Sequence, residues 1–363
     1  MKIDFQSLKT ACKFVDACAG NNKLLPLTYM LGVKVEDGEL SLLSTDSSVR
    51  DTKYYVDGLI DCEDFSVTID LKSFTGLVSK LNLKGSVDLT KTDKCLVLKT
   101  NTGEYKYPFV SDEDGFIKFP DFVSNLKLSR RGSVLDLEEL KYLIKNGKFS
   151  LATDFTCPEV CNYYFGDYVI STDLQVVTIQ ESNNIFGGAF LFRPEDLKIL
   201  CGYEGDKLVK FQKQEDGIVF YNEDFMYYLR FLNYDIQNYP AEELTEYLQM
   251  ESISHCELNT NEVFKTLNLL SVFADKDSTL HVRFDPSCSV RFSLADSKNA
   301  KEELKSTNAC IINAPTEKVN FNKLSQAISV LSPIFDTVRV DLFEDNVLML
   351  SCEDIKIVIA LED

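Results

Sequence analysis

Residues 38–49, GELSLLSTDSSV, and residues 166–177, GDYVISTDLQVV, both lead an apolar strand off a glycine turn into the same tripeptide, Ser44-Thr45-Asp46 and Ser171-Thr172-Asp173. Ser, Thr and Asp bond nearby backbone wherever a strand hands over to a turn, so the tripeptide alone carries little. The flanks decide, and they repeat as well. Phe5, Leu8, Cys12 and Val15, spaced 3, 4 and 3, predict an amphipathic helix with Lys9 and Lys13 on the neighbouring stripe. Leu137, Leu140 and Ile144 predict another, with Lys141, Lys145 and Lys148 beside them, and Val263, Leu267 and Leu270 predict a third beside Lys265. Strand pairs follow each helix; in the third copy Val282 and Phe284, then Val290, Phe292 and Leu294, alternate around an Asp285-Pro286-Ser287 turn and close on Ser293-Leu294-Ala295-Asp296.

Each copy then carries a second helix and a second hairpin: IDLKSFTGLVSKL, FRPEDLKILCGY and VNFNKLSQAISVL each lead into alternating strands. The distances from Asp46 to Phe74, Asp173 to Leu197 and Asp296 to Leu324 are similar, so the register holds between the halves of a unit. Three units of about 120 residues therefore fill the chain. Two polar connectors, carrying Phe119-Pro120 and Tyr239-Pro240, set the expected domains at 1–122, 123–250 and 251–363. The expected class is α+β, with two helices per domain packed on antiparallel sheets and the lysine stripes on the helices' far side. Open sheet edges would invite aggregation unless they pair. Pairing domain to domain, and the last domain with the first of a second copy, closes a ring that gathers the lysines on its inner surface.

Composition narrows the partners. The chain of 363 residues is 45% hydrophobic, yet no apolar run approaches the roughly 20 residues a membrane span needs, so a soluble protein is expected, with no membrane partner. The opening MKIDFQSLKTACKF lacks the apolar stretch of a signal peptide, which predicts a cytoplasmic, reducing location and reduced thiols for the eleven cysteines. With two histidines, His255 and His281, and no CxxC beside either, neither a metal nor another cofactor is expected. The net charge of −19 reports solubility and self-repulsion, so any contact with nucleic acid must come from a local basic face.

The order and spacing of LKTACKFV, LLPLTYMLGVKVEDGELSLLSTD, GFIKFPDF, KFSLATDF with VISTD, and NVLMLSCEDIKIVIALED resemble the bacterial-type sliding clamp, the β subunit of the replicative DNA polymerase holoenzyme, over the whole chain. The divergence suggests a phage-encoded member. The resemblance implies a head-to-tail homodimer that encircles duplex DNA without sequence preference and tethers the replicative polymerase and the clamp loader through short linear peptides. Lys9, Lys141, Lys198 and Lys265 each follow an apolar residue in four of the six helices; with Lys13, Lys145, Lys148 and Arg193 they are the expected DNA-facing set. Carried over by position, the peptide pocket would draw on Val160, Thr172, Leu174, Val176, Val177, Pro240, Leu244, Leu348, Ile359, Ala360 and Leu361. Here Leu174, Gln175 and Val176 replace the family's Gly and basic pair, and Ile359-Ala360-Leu361-Glu362 replaces a Met-Pro-Met-Arg-like tail, changes that alter partner choice through the charged rim. The same alignment brings Tyr107 and Phe109 against Leu269 and Leu270 of the partner copy.

No enzyme is expected. The paired carboxylates Asp112-Glu113-Asp114 and Glu242-Glu243 fall in connectors, Gly187-Gly188 lacks the Gly-Lys-Ser/Thr of a phosphate loop, and Cys157 and Cys161 have no histidine assigned to activate them. The alternative is an interaction scaffold with the same fold and no role on DNA.

Overall fold

The computed structural model describes the chain apart from residues 23, 114, 130–131, 155, 233, 235, 276, 296–300, 312–314 and 363; Asp114 and Asp296, named above, lie outside the described residues. Seven helices occur among the described residues: α1 (Phe5–Cys18), α2 (Leu71–Lys80), α3 (Leu137–Gly147), α4 (Pro194–Cys201), the short α5 (Ala241–Glu246), α6 (Thr260–Leu270) and α7 (Phe321–Leu331). Their starts follow from single residues. Asp4, Asp70, Asn259 and Asn320 accept amide hydrogen bonds at the N-termini of α1, α2, α6 and α7, and Asp136 does the same ahead of α3. Helix α4 opens instead on Pro194, whose missing N–H costs nothing at that position. No helix of the described residues is long and apolar enough to cross a membrane.

By contact the chain forms two units, 1–140 with 195–232, and 141–194 with 233–363, so each unit is built across a repeat boundary. In the first, an eight-stranded sheet runs Ser133–Val134, Lys210–Lys213, Gly217–Tyr221, Phe225–Arg230, Arg50–Val56, Glu39–Thr45, Met30–Glu36, Phe65–Asp70. A five-stranded sheet in the same unit ends on Glu104–Pro108. In the second, a nine-stranded sheet runs from Phe190–Phe192 through Tyr163–Phe165, Tyr168–Thr172, Val176–Glu181, Ile355–Ala360, Val347–Cys352, Thr337–Phe343 and Ser254–Asn259 to Asn308–Cys310, and a four-stranded sheet ends on Lys301–Lys305.

The repeat is legible in the pairing. In every copy the strand before the first helix pairs antiparallel with the strand after the second: Ile3 faces Val87, Val134 faces Lys210, Cys256 faces Val340. Copies join by one rule: the third strand after the first helix pairs with the last strand of the next copy, Tyr54 opposite Phe225 and Val176 opposite Ile359. Applied to the whole chain, the rule leaves two strands over, Glu104–Pro108 as the last strand of the first copy and Lys301–Lys305 as the third strand of the last.

The Ser-Thr-Asp echo has a common cause in both copies where it is described. Ser44 Oγ donates to Val15 O at 2.7 Å and Ser171 Oγ to Gly147 O at 2.8 Å, so the serine satisfies a carbonyl in the last turn of the copy's first helix. Gly147 is required there, because a Cβ would stand 2.5 Å from Ser171 Oγ. Thr45 and Thr172 hydroxyls bond the carbonyls of Arg50 and Val176, each at 2.9 Å, and Asp46 and Asp173 carboxylates take the amides of the turn that follows.

Burial follows the predicted stripes. Phe5, Leu8, Cys12 and Val15 of α1 and Leu71, Phe74 and Val78 of α2 are buried, as are Val263, Leu267 and Leu270 of α6 with Leu324, Ile328 and Leu331 of α7. At the first junction an aromatic cluster closes the core, Phe14 lying 4.8 Å from Phe225 between ring centroids, with Tyr203 5.0 Å from the same ring. The connector aromatics fold back on their own copies: Phe119 lies over Gly32, where a Cβ would approach its ring to 2.8 Å, and Tyr239 stacks on Tyr164 at 5.1 Å.

Candidate functional site

Three of the predicted basic residues share a groove of about 810 Å3 in the first unit, between α1, α2 and the end of α4. Lys9, Lys13 and Lys198 line it together with Lys72 and Arg50, so five cationic side chains face three acidic ones, Asp16, Glu195 and Glu204. The lysines are not equivalent. Lys9 Nζ donates to Leu81 O at 3.1 Å and so caps the C-terminus of α2. Lys13 is held by Glu204 at 2.7 Å and Lys72 by Asp16 at 2.9 Å, while Lys198 is exposed. The bond from Lys13 lowers the Glu204 carboxyl below its ordinary range, so Glu204 stays charged. Beneath the groove Arg50 lies between Asp46 at 3.0 Å and Asp196 at 3.5 Å, all three side chains largely buried. Burial would raise the Asp46 carboxyl, but amides of Arg50, Ser48 and Val49 and the Arg50 charge outweigh it and hold it at about 2.

In the second unit Lys145, Lys148 and Lys265 are exposed, and Lys141 and Arg193 are half-buried. Counted from the capping residue, Lys9 and Lys141 occupy the same turn of α1 and α3, whereas Lys265 falls one residue later in α6, in the place of Thr10. Sequence reading missed Lys72, the second residue of α2, and the groove's carboxylates.

The residues expected at the peptide pocket all lie in the second unit, but on two faces of one sheet. Val160, Val177 and Leu244 belong to a buried cluster with Tyr239, Val347 and Val358. Val176, Leu348 and Ile359 point the other way, into the core beneath α6 and α7, where Leu361 also packs. The reason is the pleat, which sends Val176 and Val177 to opposite faces. Thr172 is buried with its hydroxyl used inside the turn, Pro240 is half-buried, and Ala360 is exposed. Leu174 is the outlier: its φ is +68° and its side chain is 55% exposed. Pro240 thus sits beside Tyr239 and Leu244 of the first cluster, and Leu174 projects from the turn that leads into Val176 and Val177.

At the leftover strand Glu104–Pro108, Tyr107 and Phe109 are buried in their own copy, edge-on to Phe74 at 5.0 Å and to Phe116 at 5.6 Å. Leu270 likewise belongs to its own core, because it continues the buried stripe of Val263 and Leu267, whereas Leu269 stands off that stripe and is exposed. The exposed apolar surface continues through Val272 and Phe273, 77% and 62% exposed, which the sequence reading passed over. Their signal was present: two further apolar residues directly after the helix's buried stripe has ended.

Among the described residues, no cluster of three or more His, Cys, Asp or Glu is placed to hold a metal. All eleven cysteines are free thiols, and burial, then Asp154, pushes the Cys161 thiol up rather than down, the wrong direction for a nucleophile.

No protein-family model and no curated protein sequence matches the chain. In three dimensions it is similar, end to end, to the DNA polymerase sliding clamp of Bacillus subtilis, with a TM-score of 0.82 at 16% identity over 100% of this chain and 98% of that one. It is similar to the DNA polymerase beta subunit of Streptococcus pyogenes, with a TM-score of 0.81 at 15% identity over 99% of both chains. The Helicobacter pylori beta clamp, solved bound to a DNA ligase peptide, gives a TM-score of 0.79 at 17% identity over 100% of both chains. Three copies of one helix-and-sheet unit, joined strand to strand in a fixed order, give this chain the fold of the bacterial DNA polymerase sliding clamp.

Proposed function

We propose that the chain is a DNA polymerase processivity factor, without catalytic activity, whose three domains, 1–122, 123–250 and 251–363, pair with those of a second copy to encircle duplex DNA. The observation that carries this reading is the whole-length likeness in fold to sliding clamps. The two leftover strands support the homodimer. Glu104–Pro108 and Lys301–Lys305 are of the two kinds that the joining rule pairs, so a head-to-tail dimer uses both and leaves neither edge open. Leu269, Val272 and Phe273 supply apolar surface for the same contact. A protein that must stay on DNA while moving along it holds by topology, with few phosphate contacts and no base readout; Lys13, Lys198, Lys145, Lys148 and Lys265, with Lys9, Lys141 and Arg193 more enclosed, suit that role.

The replicative polymerase, the clamp loader and other factors would dock by short peptides on the face formed by Val160, Val177, Leu244, Pro240 and Leu174, as the Helicobacter pylori clamp takes a ligase peptide. Val176, Leu348, Ile359 and Leu361 support that face from the opposite side of the sheet. A scaffold with no role on DNA is the competing reading, favoured by the net charge of −19 and by the ion pairs that occupy Lys13 and Lys72. Retention on a nicked circle decides between them. Loaded with a clamp loader and passed over a sizing column at moderate salt, the dimer co-elutes with circular DNA and is lost once the circle is linearised; loss from both forms favours the scaffold.

A further inference from the structure

The groove between α1, α2 and α4 carries its own anions. Glu204, on the segment after α4, meets Lys13 of α1 across the junction of the first two copies, and both side chains are mostly in water. Glu204 has no other partner among the described residues. It therefore does little for the fold, since a pair this exposed gains little in water and is screened by salt. The Lys72 and Asp16 pair is less exposed, its carboxylate 36% against 77% for Glu204, and Asp16 also accepts from Thr75 Oγ1 at 3.0 Å. A carboxylate within 3 Å of an ammonium satisfies the same donor that a phosphate oxygen would. Each pair is thus inexpensive to open, and the lysine it releases is already placed on the groove.

We infer that Glu204, and Asp16 behind it, are resident stand-ins for phosphate: they hold Lys13 and Lys72 until DNA exchanges with them, and so set how weakly the groove grips the duplex. This rests on the DNA-encircling reading above. Exchange explains how a surface can carry lysines and still release them. A bare cationic groove would bind each phosphate at full strength and resist movement, whereas a groove that returns to its own carboxylates exchanges one ionic contact for another of similar strength. The carboxylate left behind also stands beside the incoming phosphate and repels it. Glu204 is the cleaner probe, because Glu204→Gln keeps the shape and removes only the charge.

The test uses a linear 30-base-pair duplex, on which topology contributes nothing, with binding followed by fluorescence anisotropy across a salt series. E204Q is expected to bind on the order of 5-fold more tightly at low salt, with a log–log salt slope steeper by up to about one. K13Q binds more weakly than wild type, and in the K13Q background E204Q loses most of its effect, because the exchange runs through Lys13. Unchanged or weaker binding by E204Q, or an equal gain with and without Lys13, overturns the inference and marks Glu204 as general surface charge. Wild type that is retained on circles while E204Q and K13Q leave its duplex affinity unmoved leaves the clamp reading standing and removes this one. Wild type that neither binds the duplex nor stays on circles removes both.

Discussion

The two described copies of the Ser-Thr-Asp turn share a backbone and differ in what surrounds it. In each, the serine holds the first helix, the threonine bridges the turn and the aspartate collects amides, with the next residue at positive φ, Ser47 at +60° and Leu174 at +68°. Around the first turn, Asp46 and Asp196 enclose Arg50 at the junction of two copies, and burial makes the charges depend on one another. Around the second, Asp173 meets Lys323 of α7 at 3.2 Å, nearer the surface, and Leu174 projects into solvent. One fold element has thus been used twice, once as a buried fastening and once as an exposed rim. The backbone scheme cannot tell these apart; burial does.

The sharpest way to break the comparison is to remove the cation from the fastening. Arg50→Met leaves Asp46 and Asp196 buried without their guanidinium and should cost about 3–5 kcal/mol, read from urea unfolding of the purified protein. The sign with pH follows from Asp46. Its carboxyl is held at about 2 against an ordinary 3.8, so its contribution is complete above 3.8 and fades as pH falls toward 2. The gap between wild type and R50M should narrow over that window. A loss below about 1 kcal/mol, or a gap indifferent to acid, would make the first turn no more of a fastening than the second.

The next effect is smaller and concerns the positive-φ residue. A leucine in the left-handed region carries a steric penalty of about 1–2 kcal/mol that glycine lacks, offset in part by glycine's freedom in the unfolded chain. L174G should therefore raise stability by roughly 0.5–1 kcal/mol, and S47G at the matching position of the first turn should raise it by a similar amount. Thermal unfolding of the two variants checks both. If L174G is destabilising, Leu174 does packing work for its own chain, and the rim loses its case as a contact for a partner.

Much of this architecture could be read from residues alone. Period 3.6 located the helix faces, and the echo exposed the repeat. What escaped depended on which strand meets which. Asp196 and Glu204 are far in sequence from Arg50 and Lys13, and no local pattern ties an arginine to a carboxylate in another copy. Two further placements were within reach of local rules. The buried stripe through Leu267 reaches Leu270 and so leaves Leu269 outside, and strand period 2 separates Val176 from Val177.

The smallest effect is expected at Lys323, and it is the one that fixes the meaning of the rim. Lys323 bonds both Asp173 and Gln175, which would look like a lock if hydrogen bonds were simply counted. Two facts reduce its worth. The pair is partly in water, where such contacts are worth about 0–1 kcal/mol, and Lys323 is the third residue of α7, where a positive charge opposes the helix dipole. Removing it surrenders a weak pair and relieves a weak repulsion, so K323M should shift unfolding by less than about 0.5 kcal/mol in either direction. A cost near that of R50M would mean that the second turn is fastened like the first, and Leu174 would then be held rigid at the surface. A negligible cost leaves the turn anchored by its own Ser171 and Thr172 hydrogen bonds, with its rim free to adjust, as the proposed peptide docking would need.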